Sequence, residues 1–324
     1  MDHPLVSVVI PVYNGEAHVA RALDSVFAQT YGNLEVIAVD DGSDDGSAEI
    51  LAGYGTRLAL VRQENQGVAA ARNAGIRRAA GQLVALLDQD DWWRPEKIAR
   101  QVELFLSDER IGLVHTGVEH WDEATGEFTG PLDPDARPER LAGDCFRRLL
   151  LDNQIYNSSV AVRASVLEEV GLCDPQIRGN TVQDYDLWLR IARRARFGFV
   201  PEPLLVFRVH AGQGTWDRRL MLSEEARLLE RVIAAEGLAP DRDVRRRMAR
   251  LYDQLGTAQM DAGERRPARR SFARSLKWRP SGRAALLWSV CLFPVPVIRA
   301  LQAARGSSPA GARPKPSEDL SQKG

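Results

Sequence analysis

The chain has 324 residues, 44% hydrophobic and 27% charged, with three cysteines and a formal net charge of -1. This length suits one large α/β domain with a smaller appendage, and the composition excludes a disordered or fibrous chain. Cys145, Cys173 and Cys291 are widely spaced and lack CxxC geometry, which argues against a disulfide framework or zinc site and fits a reducing compartment.

At the N-terminus Met1-Asp2-His3-Pro4 has no basic region, so no secretory leader is expected. The run Leu5–Val12, closed by the turn-forming Asn14-Gly15, predicts a buried first strand. Ala17–Gln29 repeats Val19, Leu23, Val26 and Phe27 on one helical face. Leu34–Val39 predicts a second strand ending in Asp40-Asp41-Gly42-Ser43, after which Ser47 would cap a short helix through Leu51. Leu58–Val61 predicts a third strand, Gly67–Ala80 an Ala-rich helix stopped by Gly81, and Leu83–Leu87 a fourth strand. Such alternation implies right-handed crossovers and a mostly parallel sheet with helices on both faces.

The fourth strand ends in Asp88-Gln89-Asp90-Asp91. Carboxylates crowded at a strand end repel unless a cation or a proton offsets them. Asp88 and Asp90, two residues apart, could both reach a hard divalent ion that in turn holds a diphosphate. A solvated acidic turn is the bland alternative. It weakens because Tyr13-Asn14 and Asp40-Asp41 occupy two further strand ends on the edge where α/β sheets bind ligands.

Farther on, Ile111–Val114 and Val160–Val162 predict strands, Asp184–Ala192 a helix, and Gly198–Val209 a strand pair broken by Pro201 and Pro203. Residues 218–279 are helical and Arg-rich; within them 255–280 suggests a tetratricopeptide-type helix pair or, better, an ordinary helical hairpin. Residues 284–301 are apolar but interrupted by Pro294, Pro296 and Arg299, and no run of the chain is long enough to predict a membrane span. The expected organisation is a catalytic-type domain over 1–216, a helical basic region over 217–305 and a disordered tail over 306–324. Residues 1–216 carry 21 Lys and Arg against 32 Asp and Glu, a net of -11, whereas 217–324 carry a net of +10. The basic part predicts either peripheral contact with an anionic membrane, with no nucleic-acid partner, or an intramolecular match to the acidic domain.

Several segments together resemble one family. Val6-Ser7-Val8-Val9-Ile10-Pro11-Val12-Tyr13-Asn14, Val39-Asp40-Asp41-Gly42-Ser43, Asn65-x-Gly67 with Ala71-Arg72-Asn73-x-Gly75, Leu87-Asp88-Gln89-Asp90-Asp91 and Asp184-Tyr185-Asp186-Leu187-Trp188-Leu189-Arg190 resemble, in order and spacing, the inverting nucleotide-sugar glycosyltransferases of family 2 with the GT-A fold. The resemblance covers residues 5 to about 215. It implies a donor site of Pro11, Tyr13, Asp41, Arg72, Asp88 and Gln89, with Tyr13 at the nucleobase, Asp41 accepting from the base, and Arg72 bearing on the diphosphate or nearby acids. It implies Mn²⁺ or Mg²⁺ held by Asp90 and Asp88 with His210, and Asp184 as the general base. The donor would be UDP- or dTDP-linked and the acceptor a glycan or lipid-linked molecule of the cell surface, on the cytoplasmic side. Where the family usually has Glu-Asp, this chain has Gln183-Asp184, which keeps the base and loses one charge. Asn14 and Asn73 read as stabilisers, Trp188 as core or acceptor platform, and Asp91 as a helix cap before Pro95 or a further acid of the site. A sugar-phosphate nucleotidyltransferase and a non-catalytic nucleotide-sugar-binding protein are the competing readings.

Overall fold

The computed structural model describes residues 3–210 and 217–292. The first half alternates β1 (Val6–Val12), α1 (Val19–Phe27), β2 (Leu34–Asp40), α2 (Ser47–Gly53), β3 (Ala59–Arg62), α3 (Val68–Arg78) and β4 (Leu83–Leu86). There follow β5 (Trp92–Trp93), α4 (Lys97–Ser107), β6 (Ile111–Asp122), β7 (Glu127–Thr129), α5 (Phe146–Leu151), β8 (Ala161–Arg163), α6 (Ala164–Val170), α7 (Gln183–Ala192) and β9 (Arg196–Val209). The sheet runs β3-β2-β1-β4-β8-β6-β9-β5, with β7 paired to β6.

The first four strands pair in parallel, as their crossovers require. Beyond β4 the sheet is mixed: β8 is antiparallel to both β4 and β6, β5 is antiparallel to β9, and β9 runs parallel to β6. All seven residues of β1 are buried because helices cover both sheet faces. Val6, Val8, Ile10 and Val12 pack with Leu23 and Val26 of α1 and Ile98, Val102 and Phe105 of α4. On the opposite face Ile37 and Val39 of β2 meet Ala71 of α3. That contact is very close. A Cβ on Gly75 would lie 2.4 Å from Val9 Cγ1, so only glycine lets α3 sit this near the sheet.

Two local expectations change. Ser47 is the first residue of α2, not its cap; its hydroxyl accepts the Gly15 N–H at 2.8 Å, while its own N–H donates to Asp45. Residues 196–209 form one strand and not a pair. The register against β6 skips at Pro201–Glu202, where β6 places Gly117 with room for the displaced Pro201 carbonyl. The Trp92–Trp93 strand and α4 escaped sequence reading, since two residues carry no periodicity and the apolar face of α4 follows directly on an acidic turn.

The C-terminal part contains α8 (Arg218–Ala235), α9 (Arg242–Asp261), α10 (Arg265–Trp278) and α11 (Gly282–Val290). Two compact units divide within α9, at Arg247–Met248. In the first, α8 is tied to residues near α7 by Arg178–Glu224 and Arg231–Asp186 ion pairs at 3.0 and 2.7 Å. In the second, α9 and α10 form the helical hairpin, and Ala268, Phe272 and Cys291 are its small core. All three cysteines are buried and free. The expected tail over 306–324 and half of the apolar 284–301 segment, residues 293–301, lie outside the described residues. Among the described residues no helix is long and apolar enough to cross a membrane.

Gly75→Ala forces a methyl into the Val9 side chain, and overpacking of this kind costs about 1–3 kcal/mol. Urea unfolding should show a lower midpoint with an unchanged slope.

Candidate active site

The chain crosses from one side of β1 to the other between β3 and β4, so the loops after β1 and β4 flank a switch point, where α/β sheets open a crevice. Side chains lock these two loops together. Gln89 accepts the Tyr13 N–H at 2.8 Å and donates to the Tyr13 carbonyl at 3.0 Å. Its amide lies over Gly15, where a Cβ would come within 2.5 Å. Tyr13 itself stays 46% exposed at the rim, available to a ring placed above it. Asn14 takes φ of 48° and accepts the Asp44 N–H, the stabilising role expected of it. Pro11 lies beyond the last β1–β4 pair, Val9 with Leu86, where β1 is free of its β4 ladder.

The acids after β2 serve the chain first. Asp40 is fully buried and pairs with Arg62 at 3.0 Å. Asp41 accepts from Gln63 Nε2 at 2.7 Å, Gln66 N at 2.9 Å and Gly67 N at 2.8 Å, so it pins the entry to α3. A carboxylate has about four lone-pair sites, so one further donor can still be accepted.

Helix α3, anchored at Gly75, delivers Arg72 beneath the end of β4. Arg72 is 3% exposed and donates to Asp88 Oδ1 at 2.7 Å, which also accepts from Asn157 Nδ2 at 3.0 Å. Burial works against the buried guanidinium's charge. The field of Asp88, with its hydrogen bond, and that of Asp184 outweigh it and hold Arg72 protonated above its ordinary range. Asp184, at the start of α7, stands in the same field. Burial pushes its carboxyl up, Arg72 pulls it down, and repulsion from Asp88 adds to the rise, leaving it above the usual carboxylate value. Asn73, one residue after Arg72, exchanges two hydrogen bonds with the Cys173 backbone at 2.8 and 3.0 Å, which holds the α6–α7 loop against α3.

Asp90 faces another way. Its Oδ2 lies 3.0 Å from His210 Nε2, across a gap of 120 residues in sequence. Asp91 caps no helix; it is buried, and its Oδ1 accepts the Arg208 N–H at 3.0 Å. Burial first, then Asp90 and Asp88, drive its carboxyl well above the ordinary range. Arg208 also donates to the Asp90 carbonyl at 2.8 Å and to Glu123 at 2.9 Å, tying β9 to the acidic turn and to the end of β6. Sequence reasoning missed Asn157, Arg208, Glu123 and His18; the β6–β9 pairing brings Arg208 and Glu123 here, while His18 lies just before α1 and Asn157 just before β8, and none is marked by a local pattern. His18, Glu123 and His210 each present a ligand atom within 4.8 Å of the others.

Gln183 explains its own departure from the Glu-Asp pattern. It is 2% exposed; its amide nitrogen donates to the Ile177 and Gly179 carbonyls and its oxygen accepts the Thr181 N–H at 2.9 Å. A carboxylate could make only the last of these bonds. Trp188 is fully buried and belongs to the core, leaving no platform for an acceptor.

The family model for glycosyl transferase family 2 matches residues 7–157. An uncharacterized glycosyltransferase of Nostoc sp. is 30% identical over 228 residues, 68% of this chain and 69% of its own. The chain belongs to glycosyl transferase family 2. An uncharacterized glycosyltransferase of Rickettsia prowazekii is 34% identical over 213 residues, and the match spans 66% of that relative's length. Among solved structures, residues 1–349 of S. aureus TarS superpose with a TM-score of 0.61 at 15% identity, covering 92% of this chain and 87% of that one. The mannosyltransferase PcManGT from Pyrobaculum calidifontis, in complex with GDP-Man and Mn²⁺, gives 0.56 at 21% identity over 93% and 84%. These likenesses establish a GT-A-type fold, and the family membership, with relatives named as glycosyltransferases, supports a glycosyltransferase.

Gln183→Glu replaces two donated hydrogen bonds by a carboxylate facing two carbonyls. It should lower stability by about 1–3 kcal/mol, since an unsatisfied buried group costs about that much, and should not raise turnover. Thermal unfolding and initial rates measured on the same preparation check both halves.

Proposed function

We propose that this glycosyltransferase moves a sugar, with inversion, from a nucleotide-sugar to a glycan or lipid-linked acceptor in the building of cell-surface polysaccharide. The observation that carries the reading is the Arg72 guanidinium, bound to Asp88 at 2.7 Å and sharing its field with Asp184. One buried cation thus joins the acid at the donor end of the sheet to the acid at the head of α7. A UDP- or dTDP-linked donor suits the site: Tyr13 would lie against the base, Asp41 would accept its ring N–H with its remaining capacity, and Pro11 and Gln89 would line the floor. Neighbours of the same fold support a nucleotide-sugar, TarS having been crystallised with UDP-GlcNAc and the mannosyltransferase with GDP-Man.

A divalent ion, Mn²⁺ or Mg²⁺, fits the pair Asp90 and His210, a carboxylate and an imidazole 3.0 Å apart at the mouth of the crevice. When bound, such an ion neutralises the leaving diphosphate. Asp88, already held by Arg72 and Asn157, is assigned to the donor and would reach the ion only through water. Asp184 takes the proton of the acceptor hydroxyl as its oxygen attacks the anomeric carbon, while the electron pair of the breaking C–O bond leaves with the nucleoside diphosphate. Burial suits Asp184 to this task, because a base whose pKa is raised toward the working pH accepts a proton more readily.

Asp184→Asn should keep donor affinity and lose transfer by about 10²–10⁴-fold, the usual worth of a positioned base. Because the folded carboxyl titrates above the ordinary value of about 3.9, the wild-type rate should fall on acidification through that raised value, and the variant should lose this limb. Donor binding by calorimetry and a rate–pH profile decide; equal losses of binding and turnover overturn the assignment.

The basic C-terminal part suits peripheral attachment to the anionic inner face of a membrane, where a lipid-linked acceptor resides. Helix α10 carries no acidic residue, and Arg266, Arg270 and Lys277 are exposed on the side opposite buried Ala268, Phe272 and Ser275. Leu286 and Leu292 are also exposed, at 45% and 50%. Basic residues near such a surface contribute on the order of 1 kcal/mol each, screened by salt. Full-length protein should sediment with anionic vesicles at low salt and be released by high salt or by Arg266→Glu/Arg270→Glu/Lys277→Glu. Wild type that stays in solution with vesicles at low salt rejects the attachment.

A further inference from the structure

His18 has a peculiar place. It precedes α1, directly after the loop that carries Tyr13, and its ring stands 5.0 Å from that of His210 at a steep angle. Its Nδ1 is closed to solvent and has no hydrogen-bond partner among the described residues. The nearest acid, Glu123 Oε1, lies 3.8 Å away, too far for a hydrogen bond and close enough for both atoms to face a common ion. A buried imidazole nitrogen without a donor or acceptor is costly, and native sites that keep one have a use for it.

The surroundings match a cation. His18, Glu123 and His210 converge within 4.8 Å of one another, and Asp90 stands next to that group, 3.0 Å from His210. Asp90 and Glu123 supply two carboxylates, and Arg208 donates to Glu123 at 2.9 Å.

We propose that His18 and Glu123 complete the metal site begun by Asp90 and His210, making it a two-imidazole, two-carboxylate site that holds a transition ion in preference to Mg²⁺. The proposal rests on the assignment of Asp90 and His210 as ligands and adds two residues from outside the Asp-x-Asp turn. Mg²⁺ demands oxygen ligands and keeps its waters, whereas imidazole favours first-row transition ions. With four protein ligands, the ion should also bind before any nucleotide arrives.

Mn²⁺ titrations of the full-length protein without nucleotide, followed by electron paramagnetic resonance, test this. Wild type should bind Mn²⁺, show two ¹⁴N couplings in the spin-echo modulation, and release little of it to an equal concentration of Mg²⁺. His18→Ala and Glu123→Gln should each weaken Mn²⁺ binding by about tenfold or more, the former with loss of one ¹⁴N coupling. Asp90→Asn and His210→Ala test the underlying assignment separately. If these two lose Mn²⁺ while His18→Ala and Glu123→Gln retain it, the completed site is wrong and the simpler one stands; if all four retain it, both are wrong. Should the His18 variant fail to fold, the wild-type protein still decides: a single ¹⁴N coupling, or equal displacement by Mg²⁺, overturns the proposal.

Discussion

The arrangement depends on the crowding of like charge at the carboxyl edge of one sheet. Asp40, Asp41, Asp88, Asp90, Asp91 and Asp184 all stand at strand or helix ends on this edge, and a low-dielectric interior would not tolerate them as free anions. Each is handled differently. Arg62 and backbone N–H groups serve Asp40 and Asp41, Arg72 serves Asp88 and Asp184, and His210 meets Asp90. Burial and its acidic neighbours press Asp91 toward its protonated form. The cations come from outside the acidic segments, so the sheet must be assembled before the acids are tolerable.

That compensation ties function to packing. Arg72 reaches Asp88 because α3 lies almost on β1 and β2, and it lies there because Gly75 has no side chain. The same helix, through Asn73, holds the segment that leads into α7 and so sets where Asp184 begins its turn. Arg190 strengthens this from the other side, donating to the carbonyls of Val170, Gly171 and Leu172. A substitution on the buried face of α3 therefore disturbs donor-side and base-side acids together.

Gln183 shows how a departure from a family pattern can be conservative in structure. The amide keeps the shape of the usual acid, and its donors hold the carbonyls of the loop ahead of α7. Losing one negative charge beside Asp184 also relieves repulsion on an edge already crowded with acids.

The first four strands, their parallel order and the acidic strand ends were legible in the sequence, because β-branched runs, turn residues and helical periodicity are local signals. The expectation that Asp88, Asp90 and Asp184 share one site came only through resemblance, since no local rule brings residues 88 and 184 together. Tertiary structure alone decided the rest. It parted Asp88 from Asp90, giving the one to Arg72 and Asn157 and the other to His210, made Trp188 core, gave Asp91 to Arg208, and brought His18 and Glu123 beside His210. The contacts of Arg208, His210 and Glu123 depend on β6 and β9 running side by side for their full length, with the register skipping at Pro201–Glu202. Hydrophobic pattern dictates which strands exist; which of their ends meet is a property of the assembled sheet.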